Sequence, residues 1–147
     1  MHESEVARDI QASPERVWAA LADGWIYCGW VVGASAIRDV DPGWPAKGSK
    51  LQHSSGLWPL LVSDETVVLE SEPASRLVLQ ARGWPLGEAT VRLCLEPAVG
   101  GTRVRMVEDV SRGPGALVPG PLQRAVLNPR NRESLRRLSL ICEGRRL

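Results

Sequence analysis

Apolar and polar side chains alternate loosely over residues 4–10, which predicts an opening β-strand. Next comes Ser13, which can accept hydrogen bonds from free backbone N–H groups, and then Pro14, whose fixed φ suits the first helical position. A helix is therefore predicted to begin at Pro14 and to end near Gly24, because glycine can adopt the positive φ that closes many helices. Residues 25–30 form a compact aromatic stretch that predicts a second short helix or a turn. The apolar stripe of the first helix consists of Val17, Trp18 and Leu21.

Between residues 31 and 110 the pattern changes to β-branched runs separated by turn signals, among them Asp41-Pro42-Gly43 and Gly100-Gly101. Six strands are predicted, at about 34–40, 49–55, 60–70, 75–82, 87–96 and 102–110. Because no helical segment interrupts them, and their spacing is that of hairpin neighbours, they should form an antiparallel meander. Alternation in the last two strands indicates one covered face and one face exposed to water. The covered positions are Ala89, Val91, Leu93 and Leu95 in one strand and Val104, Met106 and Val110 in the other.

A long amphipathic helix is predicted after the glycine- and proline-rich residues 113–121. Its stripe consists of Leu127, Asn131, Leu135, Leu138 and Cys142. Pro129 lies within this pattern and lacks a backbone donor, so the helix either kinks there or begins there with Asn128 as its cap. We favour a kinked helix from about Leu122.

Composition limits the class of protein without identifying a ligand. The 147 residues are 44% hydrophobic and 24% charged, the balance of a globular protein rather than of a disordered chain. A chain of this length buries roughly 70% of its extended surface, which is enough for one core. We therefore expect a single domain over residues 1–147.

The expected compartment is the cytoplasm. The longest apolar run, near residues 57–62, is far shorter than the ~20 residues of a membrane-spanning helix, and residues 1–10 are too charged for a secretory signal. The three cysteines are widely spaced and form no CxxC pair, so they fit neither a disulfide framework nor a zinc site. We expect reduced, buried thiols at Cys28, Cys94 and Cys142.

Charge is unevenly distributed although the formal net charge is only +1. Residues 1–110 carry 10 basic and 15 acidic side chains, whereas residues 111–147 carry 8 basic and 2 acidic ones. The C-terminal helix is therefore basic, and two uses of it stay open. Its arginines either form a solvated face that pairs with the acidic strands or contact an anionic partner. They are Arg124, Arg130, Arg132, Arg136, Arg137, Arg145 and Arg146.

Several local motifs resemble one superfamily. Residues 10–18 read IQASPERVW and resemble the I-x-A-S/P-P-E-x-V-W opening of the SRPBCC superfamily, which includes START domains, the birch-pollen-allergen group and polyketide cyclase or dehydrase-like proteins. Other stretches resemble its polyketide-cyclase-like branch, and in sum the resemblance spans nearly the whole chain. These stretches are residues 40–49, 84–87, 101–104, 108–109, 128–131 and 135–138.

The resemblance implies an α+β helix-grip fold: a strand, two short helices and a six-stranded meander, with the curved sheet wrapped around the long C-terminal helix. It also implies a cavity for a small apolar or amphipathic molecule, lipid- or polyketide-like, between the sheet and that helix. It implies no single reaction, because the superfamily includes carriers, receptors and enzymes. Binding is therefore our first hypothesis, a cyclase or dehydrase using the same cavity is the second, and an interaction module acting through the basic helix is the third.

Of the two histidines, His53 is the candidate for chemistry. It lies between Leu51 and Ser55 on one face of a predicted strand, where an imidazole can act as a general base or bond to a ligand carbonyl. The alternative is a strand histidine that bonds locally to Gln52, Ser54 or Ser55. The other histidine, His2, lies in a terminus that we expect to fray.

Glu108 follows Val104 and Met106 at a period of two, which places a carboxyl group among covered positions. It either binds or protonates a ligand oxygen, or pairs with an arginine, because an unpaired buried charge is costly. If His53 and a carboxyl group face one cavity, the pair can assist enolisation and dehydration of a β-keto or β-hydroxy compound.

Asn131 shares the apolar stripe of the helix and should point toward the sheet. There it either orients the polar end of a ligand or satisfies backbone groups disturbed by Pro129. Met106 and Leu135 are added as ligand-binding candidates, and Tyr27 and Trp30 as cavity walls, because the family places its short helices across one mouth of the cavity. Otherwise Tyr27 and the tryptophans Trp18, Trp25, Trp30, Trp58 and Trp84 are expected to build the core.

No cofactor, metal site or nucleic-acid partner is expected. No second His or Cys lies at ligand spacing from the first, and the P-loop, Rossmann and GxSxG motifs are missing from the sequence. We take a monomer as the working oligomeric state.

Overall fold

The computed structural model describes residues 3–32, 34–55, 62–83 and 87–144 of the chain. Two short 3₁₀ turns, Gly24–Ile26 and Pro114–Leu117, precede the second and third helices. The helices are α1 (Pro14–Ala22), α2 (Tyr27–Trp30) and α3 (Gly120–Glu143). The strands are β1 (Ser4–Ile10), β2 (Ala34–Val40), β3 (Lys50–Ser55), β4 (Val62–Glu72), β5 (Arg76–Gly83), β6 (Gly87–Ala98) and β7 (Gly101–Arg112).

The seven strands form one curved antiparallel sheet in the order β1-β7-β6-β5-β4-β3-β2, so β2 to β7 are a meander and β1 closes its far edge. The long helix α3 packs on one side of this sheet, mainly against β1. This is the helix-grip fold that the sequence motifs imply, and the fold prediction is confirmed. We call the sheet surface that faces α3 the inner face.

Every second side chain of β6 and β7 points to the inner face, as the alternation in the sequence predicts for the last two strands. In β6 and β7 the residues Val91, Leu93, Val104 and Met106 are buried on it, and they share one apolar cluster with Leu135 and Leu138 of α3. Every second residue points away from α3 and is more exposed. The core therefore lies between the sheet and the stripe of α3.

Helix α1 begins at Pro14, and the Ser13 hydroxyl caps it by accepting from the backbone N–H of Arg16 at 3.2 Å. Its end differs from the prediction, because the C-cap is Asp23 and Gly24 does not adopt a positive φ. Gly24 is needed for space instead: a Cβ there would lie 2.7 Å from a methyl group of Val40.

Helix α3 begins at Gly120, two residues before the predicted start, and continues through Pro129. The alternative in which Asn128 caps a helix beginning at Pro129 is therefore wrong. The N–H that Pro129 lacks would have met the Ala125 carbonyl, and since position 125 is exposed, water can bond to that carbonyl instead.

Two predictions about burial need correction. Trp25 is 62% exposed rather than part of the core, because the 3₁₀ turn directs it outward, whereas Trp44 is buried and its indole N–H donates to the Leu21 carbonyl at 3.3 Å. Of the free cysteines, Cys142 is buried but Cys28 and Cys94 are only partly covered. Cys94 lies on the outer side of β6, where alternation directs it away from α3.

Candidate functional site

Two groups of buried polar side chains lie on the inner face, where an apolar core alone would need none. The first, which we call the Glu108 cluster, lies where β1, β7 and α3 meet and consists of Ser4, Glu108, Asn128, Arg130 and Asn131. The second, which we call the Tyr27 cluster, joins α2 to β3 and β4 and consists of Tyr27, His53 and Thr66.

Strand register and helical spacing build the Glu108 cluster. Ser4 of β1 lies directly opposite Glu108 of β7, so both side chains point to the inner face. Asn131 lies on the buried stripe of α3, and its amide donates to the Glu108 carboxylate at 3.0 Å and to the Ser4 hydroxyl at 3.3 Å. The Ser4 hydroxyl in turn donates to Asn128 at 2.5 Å. One connected network thus fastens α3 to the edge of the sheet.

Arg130 completes the cluster by forming an ion pair with Glu108. The Glu108 side chain is 7% exposed and that of Arg130 is 34% exposed, so the guanidinium covers the carboxylate from the solvent side. The guanidinium also donates from Nε to the side-chain oxygen Oδ1 of Asn131 at 3.4 Å. Of the two alternatives for Glu108, the structure shows the arginine pair. Asn131 bonds to side chains of the sheet rather than to the backbone near Pro129.

The Tyr27 cluster is centred on one hydroxyl group. Thr66 Oγ1 lies 3.4 Å from the Tyr27 hydroxyl and 3.2 Å from His53 Nε2. The Tyr27 ring lies 5.5 Å from the His53 ring and meets the Trp30 ring edge-on at 5.6 Å. His53 is therefore a buried inner-face residue whose side-chain partner is Thr66 of the next strand, and its ring also bonds locally to the backbone of Ser54.

Burial keeps both titratable groups of the Tyr27 cluster neutral near pH 7. It raises the pKa of Tyr27 to about 12, and the negative charge of Glu108 adds to the rise. Burial also lowers the pKa of His53, while the charge of Asp64 acts in the opposite direction.

The structure brings together most of the residues that the sequence singles out. Trp30, Met106 and Leu135 are buried in the apolar cluster that lies between the sheet and the helices. The sequence does not mark Ser4 or Thr66 as site residues, marks Asn128 only as a possible helix cap, and leaves open which arginine pairs with Glu108. A polar residue on the covered side of a predicted strand is the signal that marks Ser4 and Thr66.

Some predictions fall on residues that the structure does not describe. His2, Trp58, Trp84, Arg145 and Arg146 lie outside the described residues. Among the residues that are described, no three His, Cys, Asp or Glu side chains lie together in a way that would hold a metal ion. No helix in the described part of the chain is long and apolar enough to cross a membrane.

The described ion pairs of the basic face of α3 lie mostly within the helix rather than against the strands. Arg136 and Arg137 both pair with Glu133 of the same helix, at 2.8 and 3.0 Å, and these bonds lower the pKa of Glu133 to about 2. Only Arg130 among the α3 arginines forms a described ion pair with a strand. Glu133 thus acts as the counter-ion of two arginines, three and four residues further along the same helix. The hypothesis that the basic helix contacts a partner stays a prediction.

A depression of about 350 Å³ lies between α1 and the C-terminal part of α3. Ala20, Ile141 and Cys142 line it together with the charged side chains Arg16 and Asp23. It contains none of the predicted ligand-binding residues, so it is distinct from the predicted cavity between the sheet and α3.

Comparison with known proteins adds a family and a set of related structures. Residues 1–143 match the family described as polyketide cyclase / dehydrase and lipid transport, whereas no curated protein matches the chain. A Rhodobacter sphaeroides protein of known structure is 23% identical, with a TM-score of 0.74, and the alignment covers 99% of this chain and 95% of that one.

Two structures with lower identity share the fold. Ara h 8.0201 has a TM-score of 0.76 at 12% identity over 97% of this chain and 98% of its own. The di-domain ARO/CYC StfQ from the steffimycin biosynthetic pathway has a TM-score of 0.77 at 13% identity over 98% of this chain and 52% of StfQ. At these identities the structures establish the fold alone.

Proposed function

The chain belongs to the polyketide cyclase / dehydrase and lipid transport family, and from this premise we propose that it binds one small apolar or amphipathic molecule between the sheet and α3. The ligand would lie against Trp30, Met106 and Leu135, with its polar end toward the buried polar side chains. In this proposal the protein is a binding protein rather than an enzyme.

One observation carries the proposal: two polar clusters lie on the largely apolar inner face, one at the β1–β7 edge of the sheet and the other at β3 and β4. Burying polar groups costs free energy that a core made only of leucine and valine would avoid. Sites for small molecules have this character, a mostly apolar wall with a few fixed polar groups. The Glu108 cluster bonds the long helix α3 to the sheet, which explains its burial. The Tyr27 cluster bonds only the four-residue helix α2 to the sheet.

The direct test is a titration with N-phenyl-1-naphthylamine, a neutral apolar dye that brightens in apolar surroundings. We expect saturation near one dye per chain. Met106→Trp should abolish most of the signal because the larger side chain fills the inner face, whereas Val126→Trp on the exposed side of α3 should leave it intact. A thermal melt of each variant shows whether it is folded. Non-saturating binding, or equal binding by both variants, would contradict the proposal.

A cyclase or dehydrase activity is the second candidate, and the neutral Tyr27 and His53 bonded to one hydroxyl group favour it. Glu108 pairs with Arg130, whereas His53 bonds to Thr66. The acid and base of this candidate are therefore Tyr27 and His53 rather than His53 and Glu108. Turnover of β-keto or β-hydroxy compounds is the measurement. A general acid or base contributes about 100-fold to 10,000-fold in rate, so an enzyme should lose activity by that factor in His53→Gln while retaining binding.

Glu108→Gln separates the same two candidates. For a binding protein, this change should alter ligand binding by no more than about 1 to 3 kcal/mol, the cost of one imperfect buried bond. We expect no turnover in the unmodified protein. A measurable rate that collapses in either variant, with dye binding preserved, would favour the enzyme.

A further inference from the structure

Asp64 lies beside the Tyr27 cluster and takes no part in its bonds. In the β3–β4 ladder it is directly opposite His53, so both side chains point to the same face of the sheet. Because His53 is buried on the inner face against Tyr27, Asp64 also points to the inner face. Its Oδ2 atom is buried and has no hydrogen-bond partner among the described residues.

A buried carboxylate oxygen without a partner is rare in folded proteins, because it loses its bonds to water and gains nothing in exchange. Glu108 shows how this chain treats a buried carboxylate that is part of the fold: an arginine and an amide both bond to it. No lysine or arginine of the described residues pairs with Asp64. Asp64 therefore has bonding capacity that no described residue uses.

The polar groups of the Tyr27 cluster do not bond to Asp64 Oδ2. The Tyr27 hydroxyl and His53 Nε2 are both within hydrogen-bond distance of Thr66 instead. A carboxylate only accepts hydrogen bonds, so the missing partner must supply a donor. A ligand that carried its own carboxylate would instead place a second negative charge against Asp64.

We infer that Asp64 is the acceptor that recognises the polar end of the ligand, and that this end is an uncharged hydrogen-bond donor, such as a hydroxyl or amide group, rather than a carboxylate. This inference rests on the proposed function and gives it a ligand class. Fatty acids and other apolar acids are then poor ligands, and neutral hydroxylated molecules of the same size are good ones.

Isothermal titration with 2-naphthamide and 2-naphthoate at pH 7.5 tests the inference, because the two probes have the same shape and differ in charge and donor. A hydrogen bond to a charged group contributes about 10-fold or more in affinity, so we expect 2-naphthamide to bind at least about tenfold more tightly. 2-Naphthol provides a second neutral donor and should behave like the amide.

Asp64→Asn assigns the preference to this residue, because the change keeps the shape and removes the charge. The ratio of the two affinities should fall to within about threefold, mainly because 2-naphthoate binds better once the repulsion is gone. Asp39→Asn, an equal change of charge at an exposed position of β2, which β3 separates from β4, should leave the ratio unchanged.

The outcomes separate the inference from the proposed function. If 2-naphthoate binds as tightly as 2-naphthamide, or if the ratio survives in Asp64→Asn, the inference is wrong while a binding site exists. If neither these probes nor the neutral dye binds, the proposed function is wrong and the inference falls with it.

Discussion

The Glu108 cluster and the Tyr27 cluster lie on the same inner face but are bonded in different ways. In the first, the carboxylate has an arginine and an amide as partners, and the network connects α3 to two strands that are far apart in sequence. In the second, one threonine hydroxyl serves two neighbours, and the adjacent Asp64 keeps a buried oxygen unpaired. A polar group that holds a fold together is satisfied within the chain, whereas one kept for a ligand has bonding capacity left over.

The difference also appears in what each cluster fastens. The Glu108 cluster bonds the 24-residue α3 to the sheet edge, whereas the Tyr27 cluster is attached to a helix of four residues. Changes at the first cluster should therefore alter stability, and changes at the second should alter binding. The predictions below test this division, beginning with the packing that supports both clusters.

The largest loss of stability should come from the apolar stripe of α3. Leu135 and Leu138 are almost completely buried, so Leu135→Ala and Leu138→Ala should each lower the free energy of unfolding by about 2 to 5 kcal/mol. Leu140→Ala, at a 54% exposed position of the same helix, should change it by less than about 0.5 kcal/mol. Urea denaturation measures all three. Losses below about 1 kcal/mol at both buried leucines would mean that polar bonds rather than packing hold α3.

The second effect should come from Arg130→Met. Removing one partner of a fully buried pair costs about 3 to 5 kcal/mol, and the partial exposure of Arg130 reduces the expected loss to about 2 to 4 kcal/mol. Arg137→Met breaks a surface pair on the same helix and should cost at most about 1 kcal/mol. Equal losses in the two variants would show that the Glu108 cluster is as solvated as the surface, and the comparison would lose its basis.

The sequence predicts the Glu108 cluster better than the Tyr27 cluster, for a physical reason. Glu108 and Asn131 stand out because each is a polar residue on a covered stripe, and each stripe is fixed by local periodicity. Their arginine partner is adjacent to Asn131 in sequence. Strand boundaries and the first helix also follow from local patterns, so most of the fold could be predicted.

The position of Asp64 depends instead on the register of two strands. The predicted bounds of 49–55 and 60–70 would place His53 opposite residue 62, whereas the ladder places it opposite Asp64. A two-residue slip keeps each side chain on its own face, so the hydrophobic pattern cannot detect the error. The sequence does not predict the contact of Thr66 with Tyr27, because it depends on how α2 packs on β4 and joins residues 39 positions apart.

The third prediction concerns Asp64, where the substitution should preserve or raise stability rather than lower it. Because its Oδ2 atom is buried without a partner among the described residues, Asp64→Asn removes an uncompensated charge and should leave stability unchanged or raise it by up to about 1 kcal/mol. Glu108→Gln is the matched change in the other cluster and should lower stability, because Arg130 then lacks its counter-ion. If Asp64→Asn lowers stability by more than about 1 kcal/mol, Asp64 is part of the fold and not reserved for a ligand.

The smallest expected effect is a change of the unfolding free energy with pH that comes from the Tyr27 cluster alone. Burial lowers the pKa of His53 below its ordinary value of about 6.5, so between the two values the unfolded chain binds more protons than the folded one. The stability due to neutral His53 is therefore complete above about pH 6.5 and is lost as the pH falls through that window toward the folded-state pKa.

His53→Gln should abolish this part of the pH dependence. The difference in unfolding free energy between the two proteins, measured by urea melts from pH 8 to pH 5, cancels the titration of His2 and of the carboxylates that they share. A difference that stays constant below pH 6.5 would mean that His53 is as hydrated in the fold as in the unfolded chain, and the Tyr27 cluster would then be a surface feature rather than one wall of a buried site.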